Sequence, residues 1–454
     1  VKEDSIMAGS SKALRIVVIG GGSNAWTPNL VKDMLLTEGL ENSTFVLYDI
    51  NLKVAQFVAQ ACQAIAKGLG KPLDVVPTDD RKLAFQGADY FLVTISTGGL
   101  DAMAHDLKIP EKFGIYHTVG DTSGPGGWAR LIRNFDVFVD LAHAFNKYAP
   151  HAPVLNYTNP MTTLTTVLSR ICKAPVVGLC HGLFESLWFL KKFYGVDEDQ
   201  ITTRYAGLNH FFWITEARAK GIDLLADLRK QLKNKSITDL RRAIDPDSFG
   251  FHSYRELATE LFHATGALPY LGDRHTCEFV PWGITDVKRM AKYKLHRTTI
   301  KERRDGFNKR NVRLKNIIKT GDLSGGYNQR SRETAADIIA AHSQGKVFID
   351  VGNTANIGQV ENLPRGTVVE TPVRIDPLGF SPIAYGKLPP QILGLVEPYA
   401  HVFNTVVDAC FEKNKTKALQ ALRIDPVCSH LTTAQVNDLG ERLLKAHDKF
   451  ITAF

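Results

Sequence analysis

A short β-branched run, Leu14-Arg15-Ile16-Val17-Val18-Ile19, ends in Gly20-Gly21-Gly22-Ser23-Asn24-Ala25, and a helical pattern from Trp26 to Glu38 follows. Strand, glycine turn and helix in that order leave few possible folds. The Gly-x-Gly-x-x-Ala form lets Gly20 make the tight turn. Gly22 lets the backbone approach a pyrophosphate, which then sits at the helix N-terminus beside Ser23 and Asn24. The next strand, Thr44 to Asp49, ends in an acid. Asp49 can accept from adenosine ribose hydroxyls and would repel a 2′-phosphate, so NAD is expected rather than NADP.

The same rhythm continues. Val54–Leu69 has helical spacing, Asp74–Pro77 and Asp89–Ile95 read as strands, and Phe135–Tyr148 as a helix. Pro153–Tyr157, Thr162–Cys172 and Pro175–Cys180 add strand, helix and strand. This alternation predicts an α/β fold with a Rossmann-type, doubly wound parallel sheet over residues 13–200. After about residue 200 short strands mix with long helices, which predicts an α+β domain over 201–454. The basic stretch Lys301–Lys319 reads as a mobile surface segment.

At 454 residues, two domains are expected. The net charge of +8 is scattered along the chain. That argues against nucleic acid and fits either an anionic substrate or cofactor or a solvated basic surface. No apolar run reaches membrane-span length. Six cysteines without a Cys-x-x-Cys spacing read as reduced thiols of a cytoplasmic protein. The polar segment Val1–Lys12 lacks a signal-peptide core. Met7 reads as the natural start and Val1–Ile6 as an upstream remnant.

Two residues stand out for chemistry. Cys180 ends an apolar strand, and His210 closes Gly207-Leu208-Asn209-His210 ahead of Phe211-Phe212-Trp213. A thiolate and an imidazole at strand ends can hold one divalent metal, and two protein ligands leave positions open for substrate oxygens. The alternative is a buried core thiol and a structural histidine. Asn159-Pro160 follows another strand and is a candidate substrate contact. Tyr270-Leu271-Gly272-Asp273-Arg274-His275 gathers ionisable groups into a turn that could supply a tuned base or simply brace a loop.

The chain resembles glycoside hydrolase family 4, the glycosidases that need NAD and a divalent metal. The resemblance rests on Gly20–Pro28, Val119-Gly120-Asp121-Thr122-Ser123-Gly124-Pro125-Gly126-Gly127, Asn159-Pro160, Cys180-His181 and Gly207-Leu208-Asn209-His210. The late stretch Asn353–Pro372 adds Asn356, Asn362-Leu363-Pro364 and Val369-Glu370-Thr371-Pro372. It implies Cys180 and His210 as ligands of a metal, usually manganese, with Asn159 near the sugar hydroxyls and Asn209 beside them. It implies His181 as the leaving-group acid. It puts Asp273 or Tyr270 in the role of base.

Members acting on 6-phosphosugars tend to carry Asp or Asn where this chain has His181. Cys180-His181-Gly182 resembles the uronidase branch instead. Cys180-His181-Gly182-Leu183-Phe184 comes close to the Cys-His-Gly-Phe pattern of α-galacturonidases, with Leu183 where that pattern has Phe. Galacturonide against glucuronide stays open, with α-galactosides and α-glucosides as further alternatives. Arg274 or His275 is a candidate partner for a C6 carboxylate. The resemblance implies oxidation at C3, metal-assisted loss of the C2 proton, elimination at C1, addition of water and reduction. It also implies a homodimer or homotetramer, for which the long C-terminal helices offer apolar faces. The rival of another class is a 2-hydroxy-acid dehydrogenase of the lactate/malate dehydrogenase type. It shares the N-terminal fingerprint but needs no metal.

Overall fold

A computed structural model describes residues 13–454, so the expected start at Met7 lies outside the described residues. The first half supplies six strands: β1 (Arg15–Ile19), β2 (Thr44–Tyr48), β3 (Asp74–Thr78), β4 (Tyr90–Val93), β5 (Val154–Asn156) and β6 (Val176–Gly178). They lie parallel in the order β6-β5-β4-β1-β2-β3. Two wound halves therefore diverge between β1 and β4, the place where doubly wound sheets open a ligand crevice. Every strand expected in this half is present, trimmed at its ends except β3, which runs one residue further.

The second half adds β7 (Thr202–Leu208), β8 (Phe211–Ala219), β9 (Ile222–Asp223), β10 (Leu268–Pro269), β11 (Phe348–Ala355), β12 (Val368–Asp376) and β13 (Gly379–Pro382). These strands extend the first sheet, antiparallel, as β6-β11-β12-β7-β8-β10, with β13 on β12 and β9 on β8. Two junctions in this extension are thin. Strands β6 and β11 share the single pair Gly178↔Asn353, and β12 and β7 the single pair Glu370↔Gly207. Cys180 follows two residues after Gly178, and Asn209 and His210 two and three after Gly207, so they lie next to these junctions.

Helices cover both faces of the sheet. Leu30, Val31, Val58, Ile338 and Ile339 pack on one, and Leu131, Phe138, Leu164, Tyr399 and Val406 on the other. Each such side chain contributes about 1.5–3 kcal/mol on burial.

The expectation for Lys301–Lys319 is corrected. Ile300–Thr320 is a helix of 21 residues, opened by a capping box between Thr299 and Glu302. Leu314 and Ile317 pack on Ala61 and Ile65 of the helix Leu52–Gly68. The charge run is the solvated face of a docked helix. The helix expected from Phe135 begins earlier, at Gly124, because Gly124-Pro125-Gly126-Gly127 starts its first turn.

Candidate active site

The fingerprint loop is shaped by contact as well as by turn geometry. Gly20 has φ +82, which a side chain disfavours. A Cβ on Gly22 would sit 2.8 Å from Asp49 Oδ2. That carboxylate accepts from the Gly22 N–H at 3.0 Å and, through Oδ1, from the Asn51 N–H at 2.9 Å. Gly20, Gly22, Ser23 and Asp49 line a cavity of about 610 Å³, with Ile50 and Thr97 also on its wall. The room and the acid suit a dinucleotide. Asn24 is oriented differently. Its side chain meets the helix Ile300–Thr320, donating to Asn311 Oδ1 at 2.7 Å and accepting from Arg310 Nε at 3.2 Å.

Cys180 and His210 meet. Cys180 Sγ lies 3.2 Å from His210 Nε2, although 30 residues separate them. Asn209-His210 is the two-residue link between β7 and β8, and His210 is held at φ +62. A left-handed backbone costs a residue with a Cβ on the order of 1 kcal/mol, and such strain gathers where position matters. Burial pushes His210 well below the ordinary histidine range, keeping the imidazole neutral, as a metal ligand must be. Burial first, then Glu370, pushes the metal-free Cys180 thiol up. Among the described residues no third His, Cys, Asp or Glu joins to complete a closed set. A thiol and an imidazole at this spacing fit a divalent cation with open positions.

A second cavity of about 390 Å³ lies beside this pair, lined by His181, Tyr270, Gly272, Asp273, Arg274 and His275. Tyr270 fits between two glycines. A Cβ on Gly182 would come within 3.2 Å of its ring, and one on Gly272 within 2.2 Å. The ring stacks on His210 with centroids 5.6 Å apart and 18° between planes. Burial raises the Tyr270 hydroxyl above its ordinary range. His275 packs on His210 at 4.1 Å, and its Nδ1 is buried without a partner among the described residues. The His181 side chain is 61% exposed, with Nδ1 3.3 Å from Glu333 Oε1. That carboxylate raises its pKa and favours the charged, proton-carrying form.

Asp273 caps a helix. It accepts from the N–H groups of Leu257 and Ala258 at 2.8 and 3.2 Å. Those belong to the first turn of the helix Glu256–Thr265, whose N-cap Arg255 supplies no side-chain cap. Burial raises its pKa to about 7. Arg274 reaches His252 Nδ1 at 3.0 Å and donates to Thr298 Oγ1. Asn159 accepts on its carbonyl from Arg130 Nε at 2.8 Å, while its Oδ1 is buried without a partner among the described residues. Asn209 Nδ2 donates to the buried Glu370 at 2.8 Å.

The loop 117–124 is part of the site, and sequence reasoning gave its residues no role. Glu278 Oε1 accepts from the N–H groups of Thr118, Val119 and Gly120 at 2.8, 2.7 and 2.9 Å, and from Thr118 Oγ1 at 3.0 Å. That cradle presents Asp121 and Thr122. Burial alone would raise Asp121, but His275, Arg130, Arg303 and His210 hold it down to about 2. Thr122 Oγ1 lies 3.1 Å from His210 Nδ1. The motif Val119–Gly127 marked this loop, but nothing local to it points to His210 or Glu278.

A doubly wound sheet with a dinucleotide crevice, extended by antiparallel strands that bring a thiol and an imidazole together, defines a dehydrogenase-like class of fold. Residues 15–195 match the description "Family 4 glycosyl hydrolase", and residues 205–428 that of its C-terminal domain. The chain belongs to glycoside hydrolase family 4. It is 31% identical to an α-galacturonidase of Thermoanaerobacterium saccharolyticum, covering 96% of each chain. It is 34% identical to an α-galacturonidase of Bacillus subtilis, over 91% of this chain and 93% of that one. A 6-phospho-α-glucosidase from gut microorganisms, solved with NAD and Mn²⁺, shares the fold. Its TM-score is 0.80 at 21% identity, over 97% of this chain and 99% of that one. The family makes the coarse activity glycoside hydrolysis and answers the dehydrogenase alternative.

Proposed function

We propose that this chain is an NAD- and divalent-metal-dependent α-glycosidase acting on uronides, with α-galacturonides preferred. One observation carries the reading: Cys180 Sγ and His210 Nε2 converge to 3.2 Å on the sheet that also carries the Gly20–Asp49 crevice. When bound, the dinucleotide supplies a reversible oxidation of the sugar, and the cation, manganese in this proposal, a Lewis acid beside the oxidised carbon.

The side chains divide the remaining work. Cys180 and His210 hold the cation, and Asn159 Oδ1 is available to orient sugar hydroxyls. Tyr270, stacked on His210, is the better placed base for the C2 proton, because Asp273 spends both oxygens on a helix terminus. A cation beside Tyr270 opposes the upward push of burial on its hydroxyl. His181, kept charged by Glu333 and open to the cavity, suits a proton donor to the leaving oxygen.

The uronide reading rests on charge and space. Among the described residues, Arg130, Arg274 and Arg303 hydrogen-bond neutral partners: the Asn159 carbonyl and Ser96, His252 and Thr298, and the Val119 carbonyl. Arg274 and Arg303 share the field of Asp121 and Glu278 without a direct ion pair to either, so a substrate carboxylate is accommodated. Gly182 leaves Tyr270 close against Cys180-His181. Losing a carboxylate pair in such a pocket costs about 2–5 kcal/mol. The kcat/KM of an α-galacturonide should therefore exceed that of the matched α-galactoside by at least ~30-fold. A substrate deuterated at C2 should lose its label to water during turnover. Equal or faster turnover of the neutral sugar ends the uronide reading, and a retained label ends the elimination mechanism.

The crevice also predicts cofactor choice. NADP should bind roughly 100-fold more weakly than NAD, through repulsion between its 2′-phosphate and Asp49. Fluorescence titration measures both affinities, and tighter NADP binding would overturn the role given to Asp49.

A further inference from the structure

His210 can serve as a ligand through Nε2 only if its single proton sits on Nδ1, and the structure contains a group that decides this. Thr122 Oγ1 has one proton to give. It donates to Asp121 Oδ1 at 3.0 Å, and an ionised Asp121 can only accept. Arg130 and Arg303, on two other elements, carry the permanent positive charges that keep Asp121 a carboxylate. The threonine proton is thereby used, so at 3.1 Å from His210 Nδ1 the hydroxyl oxygen can only accept. The opposite arrangement would set the lone pairs of Thr122 against those of Asp121. It would also turn an Nε2–H toward Cys180 Sγ, where the cation has to sit.

We propose that Thr122 is a positioning residue which, oriented by Asp121, fixes His210 as the tautomer whose Nε2 is free for the metal. The inference rests on the reading of Cys180 and His210 as the metal ligands. Thr122 is held firmly in place. It is 2% exposed, and a Cβ on Gly127 would lie 2.5 Å from its carbonyl carbon. The backbone before it is fixed on Glu278. Partners that orient a metal-bound histidine from behind typically account for about 10- to 100-fold in metal affinity.

The test uses full-length, metal-free protein titrated with Mn²⁺ by electron paramagnetic resonance, with NAD binding as the folding control. Thr122→Val removes the acceptor and should weaken Mn²⁺ binding by about 10- to 100-fold. Thr122→Ser keeps the hydroxyl and should stay within about 3-fold of the parent, given that only a methyl is lost. Wild-type Mn²⁺ affinity in Thr122→Val would overturn the inference, as would equal losses in both variants. Cys180→Ser separates the two readings. If it loses Mn²⁺ while Thr122→Val does not, only the role of Thr122 falls. If it keeps Mn²⁺, the ligand assignment falls as well. An independent readout needs no Thr122 variant: histidine ¹⁵N spectra of the metal-free protein, with His210 assigned by its loss in His210→Ala. A protonated Nδ1 and a bare Nε2 are expected, and the reverse tautomer would refute the proposal.

Discussion

Cys180→Ser and His210→Ala should each lower turnover by at least ~10³-fold while leaving NAD affinity within about 2-fold, because the metal's contribution of several kcal/mol is lost and the dinucleotide's is not. In this reading the cation is the group set beside the charge that develops when the C2 proton leaves. Without the cation beside it, burial raises the Tyr270 hydroxyl pKa, and Arg255 opposes that rise less than burial drives it. The dinucleotide cavity is built from β1, β2, β4 and the loops that follow them, and neither Cys180 nor His210 lines it. Two titrations, Mn²⁺ by resonance and NAD by fluorescence, measure the separation directly. Equal loss of both affinities would mean that the ligand pair is a structural contact rather than a metal site.

Glu278→Ala should destabilise the protein by about 3–5 kcal/mol, the range for stripping a buried, paired charge. Glu278 is fully buried. Its removal leaves three backbone donors, the Thr118 hydroxyl and His117 facing a void. Glu278→Gln should cost less, because most of those donors converge on one oxygen that an amide can reproduce. Burial would raise Glu278, but His117 and the Val119 N–H hold its pKa below the ordinary 4.5. Its folded pKa is thus the lower one. The contribution is complete above about pH 4.5 and is lost as pH falls through the folded value. Thermal melting at neutral pH and again near pH 4 measures both effects. An unchanged melting temperature in Glu278→Ala would show that the loop 117–124 is held by other contacts. Because that loop carries Asp121 and Thr122, Mn²⁺ affinity should fall together with stability.

The sequence was informative where the physics is local. The strand–glycine–helix order, the acid after β2 and the short apolar runs of β4, β5 and β6 each reflect neighbours a few residues apart, and the parallel sheet follows from them. Cys180 and His210 were visible because each ends a strand. Locality also misled. The charges at 301–319 drew attention away from the Thr299–Glu302 capping box and from the apolar pair Leu314 and Ile317. The sequence left Asp273 and Tyr270 both open as the base, and could not show that the Asp273 oxygens cap the helix Glu256–Thr265, for which Arg255 gives no cap.

By itself, then, the sequence determined the doubly wound sheet, the dinucleotide crevice and the identity of the two metal-ligand candidates. Only the tertiary structure decided how they work together. It placed Thr122 on His210 across 88 residues and Glu278 under Thr118 across 160. It set Tyr270 against His210 and Asp273 on a helix terminus, and joined both halves into one sheet through single pairs at Gly178 and Gly207. The reason is that a hydrogen bond or a ring contact depends on distance in space. Local propensity fixes which residues end a strand, but which ends meet is fixed by how the strands pack.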